Sequence, residues 1–247
     1  MEKVVYTVLT GGYDRLQQPV VTYPEYRYVC FTDHAGTDGV WELREIPFEG
    51  SPVLRARYAK MNPHLLLKEF DYSVFMDANL CITGGEFYSH VGEAPLAILQ
   101  HPSRDCVWEE LRYCYLKDKV STASALRIHK MLQAIDMPRH AGLAETNVLG
   151  RLHNDPQVIA LDQLWWRMLL ESGGTRDQLV FTPALHRLGI EPALLLGPGL
   201  CARNVPYIQY SLHPLTGREN TPGKLNWANV KYNLRLAWRK ALLPCLK

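Results

Sequence analysis

Three short runs rich in β-branched and aromatic residues, "VVYTVL" (4–9), "YRYVCFTD" (26–33) and "YSVFM" (72–76), constrain this chain more than any other feature. Each has the length of a buried strand, and each stops on glycine or polar residues: Gly11-Gly12-Tyr13-Asp14, Asp33, and Asp77-Ala78-Asn79. "PLAILQH" (95–101) reads as a fourth strand, with helical patterns in the intervals. Strands alternating with helices predict an α/β layer fold, a single domain whose mostly parallel central sheet is flanked by helices. In such sheets the chemistry gathers just past the carboxyl ends of the strands, in a crevice that the helices leave open. The glycine loop, Asp33 and Asp77-Ala78-Asn79 are predicted to share that edge.

Ser51-Pro52 supplies an N-cap and a first-turn proline for a helix that buries Leu54, Tyr58, Met61 and Leu65, with Arg57 and Lys60 on a neighbouring face. Pro63 is expected to kink or interrupt it. "RDCVWEELRYCYL" (104–116), "GLAETNVLGRLHN" (142–154), "LDQLWWRMLLES" (161–172) and "RDQLVFTPALHRLG" (176–189) read as helical. No linker-like tract divides residues 1–219, which are expected to form one domain. From Asn220 to residue 247 every formal charge is basic, and the mixture with Leu and Trp suits an amphipathic interfacial helix, or one packed on the domain.

With 247 residues, 47% hydrophobic and 21% charged, the chain can bury a sizeable core. A net charge of +2 is too small for a nucleic-acid partner. The six cysteines are scattered, without a Cys-x-x-Cys pair, so neither a zinc cage nor a disulfide framework is indicated. The apolar start is too short for a signal peptide or a membrane span. A cytoplasmic protein is expected, with contact to the inner face of the membrane through its basic tail.

Several residues have a chemical and a plain reading side by side. Asp77 and Asn79 offer oxygen ligands to a divalent cation, Mn or Mg, on a diphosphate, although Asn79 brings no charge; the plain reading is a strand-end turn. Gly11 and Gly12 permit close backbone approach to a ligand, Tyr13 could stack on a base, and Asp14 or Asp33 could accept hydrogen bonds from base or ribose. Arg57 and Lys60 could reach a pyrophosphate, or simply face solvent. Glu145, within its helical-looking segment, could act as a general base or hold an acceptor hydroxyl. Asp177 and Gln178 stand at a helix start, where Asp177 could equally be a cap. His213 as a metal ligand and Lys224 on phosphates lie in a loop-like region.

Taken together, "YTVLTGGYD", "YVCFTD", "RARYAKMNPH", "DYSVFMDANLCI", "HPSRDCVWEE", "GLAETNVLGRLHN", Trp165-Trp166 and "RDQLVF" resemble a glycosyltransferase-like family of bacterial polysaccharide-locus proteins and plant Golgi enzymes of cell-wall and mucilage synthesis. The layout is more distantly similar to family 8 glycosyltransferases of the GT-A fold. That resemblance implies Asp77 and Asn79 for metal or donor, Asp177 and Gln178 beside the reacting sugar, and His213 with Lys224 at the diphosphate. It implies a nucleotide-sugar donor and a glycan or lipid-linked acceptor. Asn79 and the ending "GKLNW" (223–227) depart from the family 8 pattern. A nucleotidyltransferase, or a glycan-binding module on a decayed transferase fold, are the rival expectations.

Overall fold

The computed structural model describes residues 1–12, 14–92, 94–174, 176–211, 236–241 and 243–246. The first half runs β1 (Lys3–Val8), β2 (Tyr26–Thr32), β3 (Gly36–Asp38), β4 (Trp41–Glu45), α1 (Pro52–Met61), α2 (Pro63–Leu66), β5 (Tyr72–Met76), β6 (Leu80–Ile82), α3 (Glu86–Ser89) and β7 (Leu96–Gln100). Then follow α4 (Val107–Leu116), α5 (Thr122–Ala134), β8 (Ala144–Arg151), α6 (Pro156–Ser172), α7 (Gln178–Leu188), β9 (Ala193–Leu194) and β10 (Ile208–Tyr210).

The large sheet has the order β3-β4-β2-β1-β5-β8-β7-β9. β4, β2, β1 and β5 run parallel, as predicted for the strands that end in polar residues. β8 runs antiparallel to β5 and β7, β9 is parallel to β7, and β3 forms a hairpin with β4. The sheet is therefore mixed, with its parallel half carrying the polar edge. One face packs against α1 and α4 to α7 around Trp165, Phe181, Leu111 and Tyr115. The other buries Val5, Tyr72, Met76, Phe87 and Ile208 beneath α3 and the β6–β10 pair.

The sequence expectations fail in two places. Residues 142–154 are not helical: they contain β8, buried along all of its length between β5 and β7. A strand covered on both faces shows no polar–apolar alternation, so its period is invisible. Gly150 is the trace of that setting, since a Cβ there would lie 2.3 Å from the Tyr72 hydroxyl. Leu65 is 46% exposed rather than core-facing, because Pro63 ends the preceding helix at Met61 and starts α2 afresh.

Most of the basic segment after Asn220 lies outside the described residues. Within residues 236–241, Arg239 donates to the Val120 carbonyl at 2.9 Å and also to the Tyr115 carbonyl and Asp118. Leu243 packs on the main core, while Trp238 is 72% exposed. Among the described residues no helix is long and apolar enough to cross a membrane. Cys30, Cys81, Cys106, Cys114 and Cys201 are free and buried.

Candidate active site

β1, β2 and β5 deliver their carboxyl ends to one edge. There the Leu9 N–H donates to the Phe31 carbonyl at 2.8 Å and the Asp77 N–H to the Asn147 carbonyl at 2.9 Å. Gly11 has φ of 63°, and a Cβ on it would sit 2.9 Å from Pro52 Cβ, so this turn against α1 requires glycine. Its N–H donates to Asp33 Oδ2 at 2.9 Å, and Arg55 Nη1 donates to Asp33 Oδ1 at 2.5 Å. Asp33 is thus held from two sides, and Arg55, which the sequence did not single out, is one of its holders. Gly12 follows with φ of 64°. Tyr13, His213 and Lys224 lie outside the described residues.

The centre of the edge is an ion cluster built by α1 and α7. Ser51 Oγ accepts from the Leu54 N–H at 3.3 Å and Pro52 opens α1, as expected, which fixes where the last turn of the helix falls. That turn drives Lys60 inward until it is 2% exposed, 4.6 Å from the Phe75 ring centroid. Lys60 Nζ donates to Asp177 Oδ2 at 2.6 Å and to Thr146 Oγ1 at 3.3 Å, and it stands 3.7 Å from Asp77 Oδ1. Arg57 Nη2 lies 3.3 Å from Asp177 Oδ1. Lys60 is therefore no solvated lysine.

Asp177 sits at the cap position of α7, yet its dihedrals are helical and its side chain makes no capping bond. Its carboxylate serves Lys60 and Arg57 instead, while Trp165 Nε1 pins its carbonyl at 2.9 Å. Burial pushes the Asp177 carboxyl up, but the charges of Arg57, Lys60 and Arg176, with the Lys60 hydrogen bond, outweigh it and hold the group well below the usual carboxylate range. Gln178 Nε2 donates to the Ala144 carbonyl at 3.2 Å and ties α7 to β8.

A carboxyl depressed on folding contributes stability that is present above its unfolded value of 3.8 and lost as pH falls toward the folded one. The urea midpoint of the wild type is accordingly expected to fall more steeply between about pH 5 and about pH 2.5 than that of Asp177→Asn. Equal slopes in urea titrations would remove Asp177 as the source.

Across β8 the polar residues divide between the two faces. Ile98 pairs with Leu149 but Leu99 with Glu145, so Thr146, Asn147 and Val148 bulge away from β7. Thr146 Oγ1 donates to Asp177 Oδ2 at 3.2 Å on the helical face. Glu145 turns to the opposite face, where it is ion-paired to Arg203. Burial raises the Glu145 carboxyl, the Arg203 hydrogen bond and charge oppose that, and the nearby Asp77 charge adds to the rise, leaving it above the usual range.

Of the residues expected at a metal, Asp77 and Asn79 are described and His213 is not. Asp77, 41% exposed at its side chain, looks toward an ammonium, and Asn79 is 5% exposed with Nδ2 donating to the Ser211 carbonyl at 3.3 Å. The Leu80 N–H donates to the Asp77 carbonyl at 2.9 Å, so the turn reading of this step also holds. Among the described residues no group of three or more His, Cys, Asp or Glu side chains is placed to hold a metal ion. Arg55, Thr146, Asn147 and Arg203 are the site residues that sequence reasoning missed. Thr146 and Asn147 had one local signal, the β-branched, glycine-containing run of β8, and Arg55 and Arg203 had none.

No family model matches the sequence, and no curated protein matches it significantly. Among solved structures, the apo structure of WbbM, a bifunctional glycosyltransferase, is similar with a TM-score of 0.43 at 10% sequence identity, over 77% of this chain. The match spans 38% of that protein's chain.

Proposed function

We propose that this chain is a GT-A-like glycosyltransferase that moves a hexosyl or pentosyl group from a nucleotide-sugar donor to a hydroxyl of a glycan or lipid-linked acceptor in surface polysaccharide synthesis. The observation that carries the reading is the Lys60–Asp177 pair at the carboxyl edge of the parallel strands, flanked by Arg57, Arg176 and Asp77. Two cations, Lys60 and Arg57, converge on Asp177 there, an arrangement suited to meeting an anionic leaving group.

In the transfer, an acceptor oxygen bonds to the anomeric carbon and gives up its proton. The bond from that carbon to the diphosphate oxygen breaks, and its electron pair leaves on the nucleoside diphosphate. Lys60 and Arg57 oppose the charge that develops on the diphosphate, and Asp77 faces the reacting edge from the end of β5. Glu145, ion-paired to Arg203, is the candidate acceptor of the hydroxyl proton. The exposed Trp238 and the basic tail support peripheral contact with an anionic membrane.

A thermal-shift screen of nucleotide sugars, with and without manganese, tests the donor, because a ligand that binds only the folded state raises its melting temperature. Release of a nucleoside diphosphate supports the transferase, whereas release of pyrophosphate from a nucleoside triphosphate replaces it with nucleotidyl transfer. Asp77→Ala is expected to abolish turnover while keeping a wild-type melting temperature within about 2 °C, since its side chain is partly exposed. Full activity in that variant removes Asp77 from the mechanism.

A further inference from the structure

The bulge in β8 leaves a second polar cluster on the face away from Lys60. With the two-residue period of a regular strand, Glu145 would share the face of Leu149, which lies in the helix-covered core. The three bulged residues break that period and turn Glu145 toward Arg203, on the layer where Val148, Ala202 and Val205 are buried. Bulges beside functional sites serve to re-aim a side chain in this way.

Three buried polar atoms of the cluster lack a partner at full hydrogen-bond geometry: Glu145 Oε2 and both Nδ2 and Oδ1 of Asn147. The two residues are only 6% and 7% exposed. The Asn147 side chain stands in hydrogen-bonding range of Glu145 and opposes the rise of its carboxyl, but the contact is too loose to satisfy either group fully. Buried polar groups are nearly always well paired, so a cluster this incompletely satisfied needs a cause. The cover over them is Arg203, whose side chain is 43% exposed, is ion-paired to Glu145 and has its guanidinium 5.0 Å from the Tyr210 ring centroid.

We infer that Glu145, Asn147 and Arg203 form a ligand subsite for neighbouring hydroxyl groups of a carbohydrate, opened when the Arg203 side chain shifts. A carboxylate oxygen accepts one O–H, and the amide both donates to and accepts from the next, which is the pattern that adjacent sugar hydroxyls complete. A phosphate would meet the charges of Glu145 and Asp77, and a cation would meet Arg203. Arg203 is a positioning residue: its ion pair aims the Glu145 carboxylate and opposes the rise that burial imposes on it. The subsite rests on the transferase reading only in making that carbohydrate the acceptor.

The test is saturation-transfer NMR on the full chain with methyl α- and β-glycosides of glucose, galactose and mannose, alongside thermal shifts with UDP and GDP. Asn147→Leu removes two incompletely paired polar atoms at nearly constant volume, so it is expected to raise the melting temperature while abolishing glycoside binding. Glu145→Gln keeps the size and is expected to weaken binding by about fivefold or more. Loss of binding in Glu145→Gln supports the subsite even where Asn147→Leu fails to fold. No glycoside bound by the wild type, or undiminished binding in Glu145→Gln, overturns it. Glycosides bound without any nucleotide would sink the transferase reading and leave the subsite standing; nucleotides bound without any glycoside would do the reverse.

Discussion

Arg151→Met is expected to lower the unfolding free energy by about 3–5 kcal/mol, the largest stability loss anticipated for a single side chain here. Arg151 and Asp162 are both 0% exposed, with Nη1 donating to Oδ1 at 2.9 Å. Burial lifts the Asp162 carboxyl to about 6 even against the Arg151 charge, so removing the guanidinium strands a carboxylate that the interior cannot solvate. The damage reaches further, because Arg151 Nη2 donates to the Lys60 carbonyl at 2.9 Å and also bonds the Tyr6 hydroxyl, which itself donates to that carbonyl at 2.9 Å. The last turn of α1, and hence the ammonium of Lys60, is held from beneath by this network. Arg151→Met/Asp162→Leu removes both charges and is expected to recover most of the loss. Urea unfolding of the single and double variants measures both effects. A single variant within about 1 kcal/mol of wild type would show that the pair does not hold α1.

The parallel half of the fold was legible because β1, β2 and β5 each end where the chain must turn polar, and a buried apolar run with a polar stop is a local signal. α1 was legible through Ser51 and Pro52, whose capping chemistry is spelled within four residues. β8 was not, because coverage on both faces erases the alternation that marks a strand. For the site, Asp77 and Asp33 could be placed at the right edge, since strand ends converge there in any parallel sheet. The partnership of Lys60 with Asp177 could not be read from either segment: 117 positions separate them, and a lysine on a helix looks the same whether it meets solvent or a buried carboxylate. Arg203 and Asn147 were hidden for a related reason, since a bulge depends on the register of two strands rather than on either sequence alone.

Lys60→Met should reduce kcat/KM for the donor by about 10²–10³-fold, equivalent to about 2.7–4 kcal/mol of lost transition-state stabilisation. Methionine keeps the stem against Phe75 and Trp165 but deletes the only group that reaches both Asp177, at 2.6 Å, and Asp77, at 3.7 Å, among the described residues. The same change leaves Asp177 buried with Arg57 as its remaining close cation, so stability falls as well, and a bare loss of activity would be ambiguous. Lys60→Met/Asp177→Asn separates the two causes. Neutralising the orphaned carboxylate is expected to restore most of the melting temperature, while nucleoside diphosphate release stays as low as in Lys60→Met. Activity returning together with stability would reduce Lys60 to a structural cation. Activity absent from a well-folded double variant but retained in Asp177→Asn alone would leave the ammonium as the group that meets the departing diphosphate of the proposed transfer.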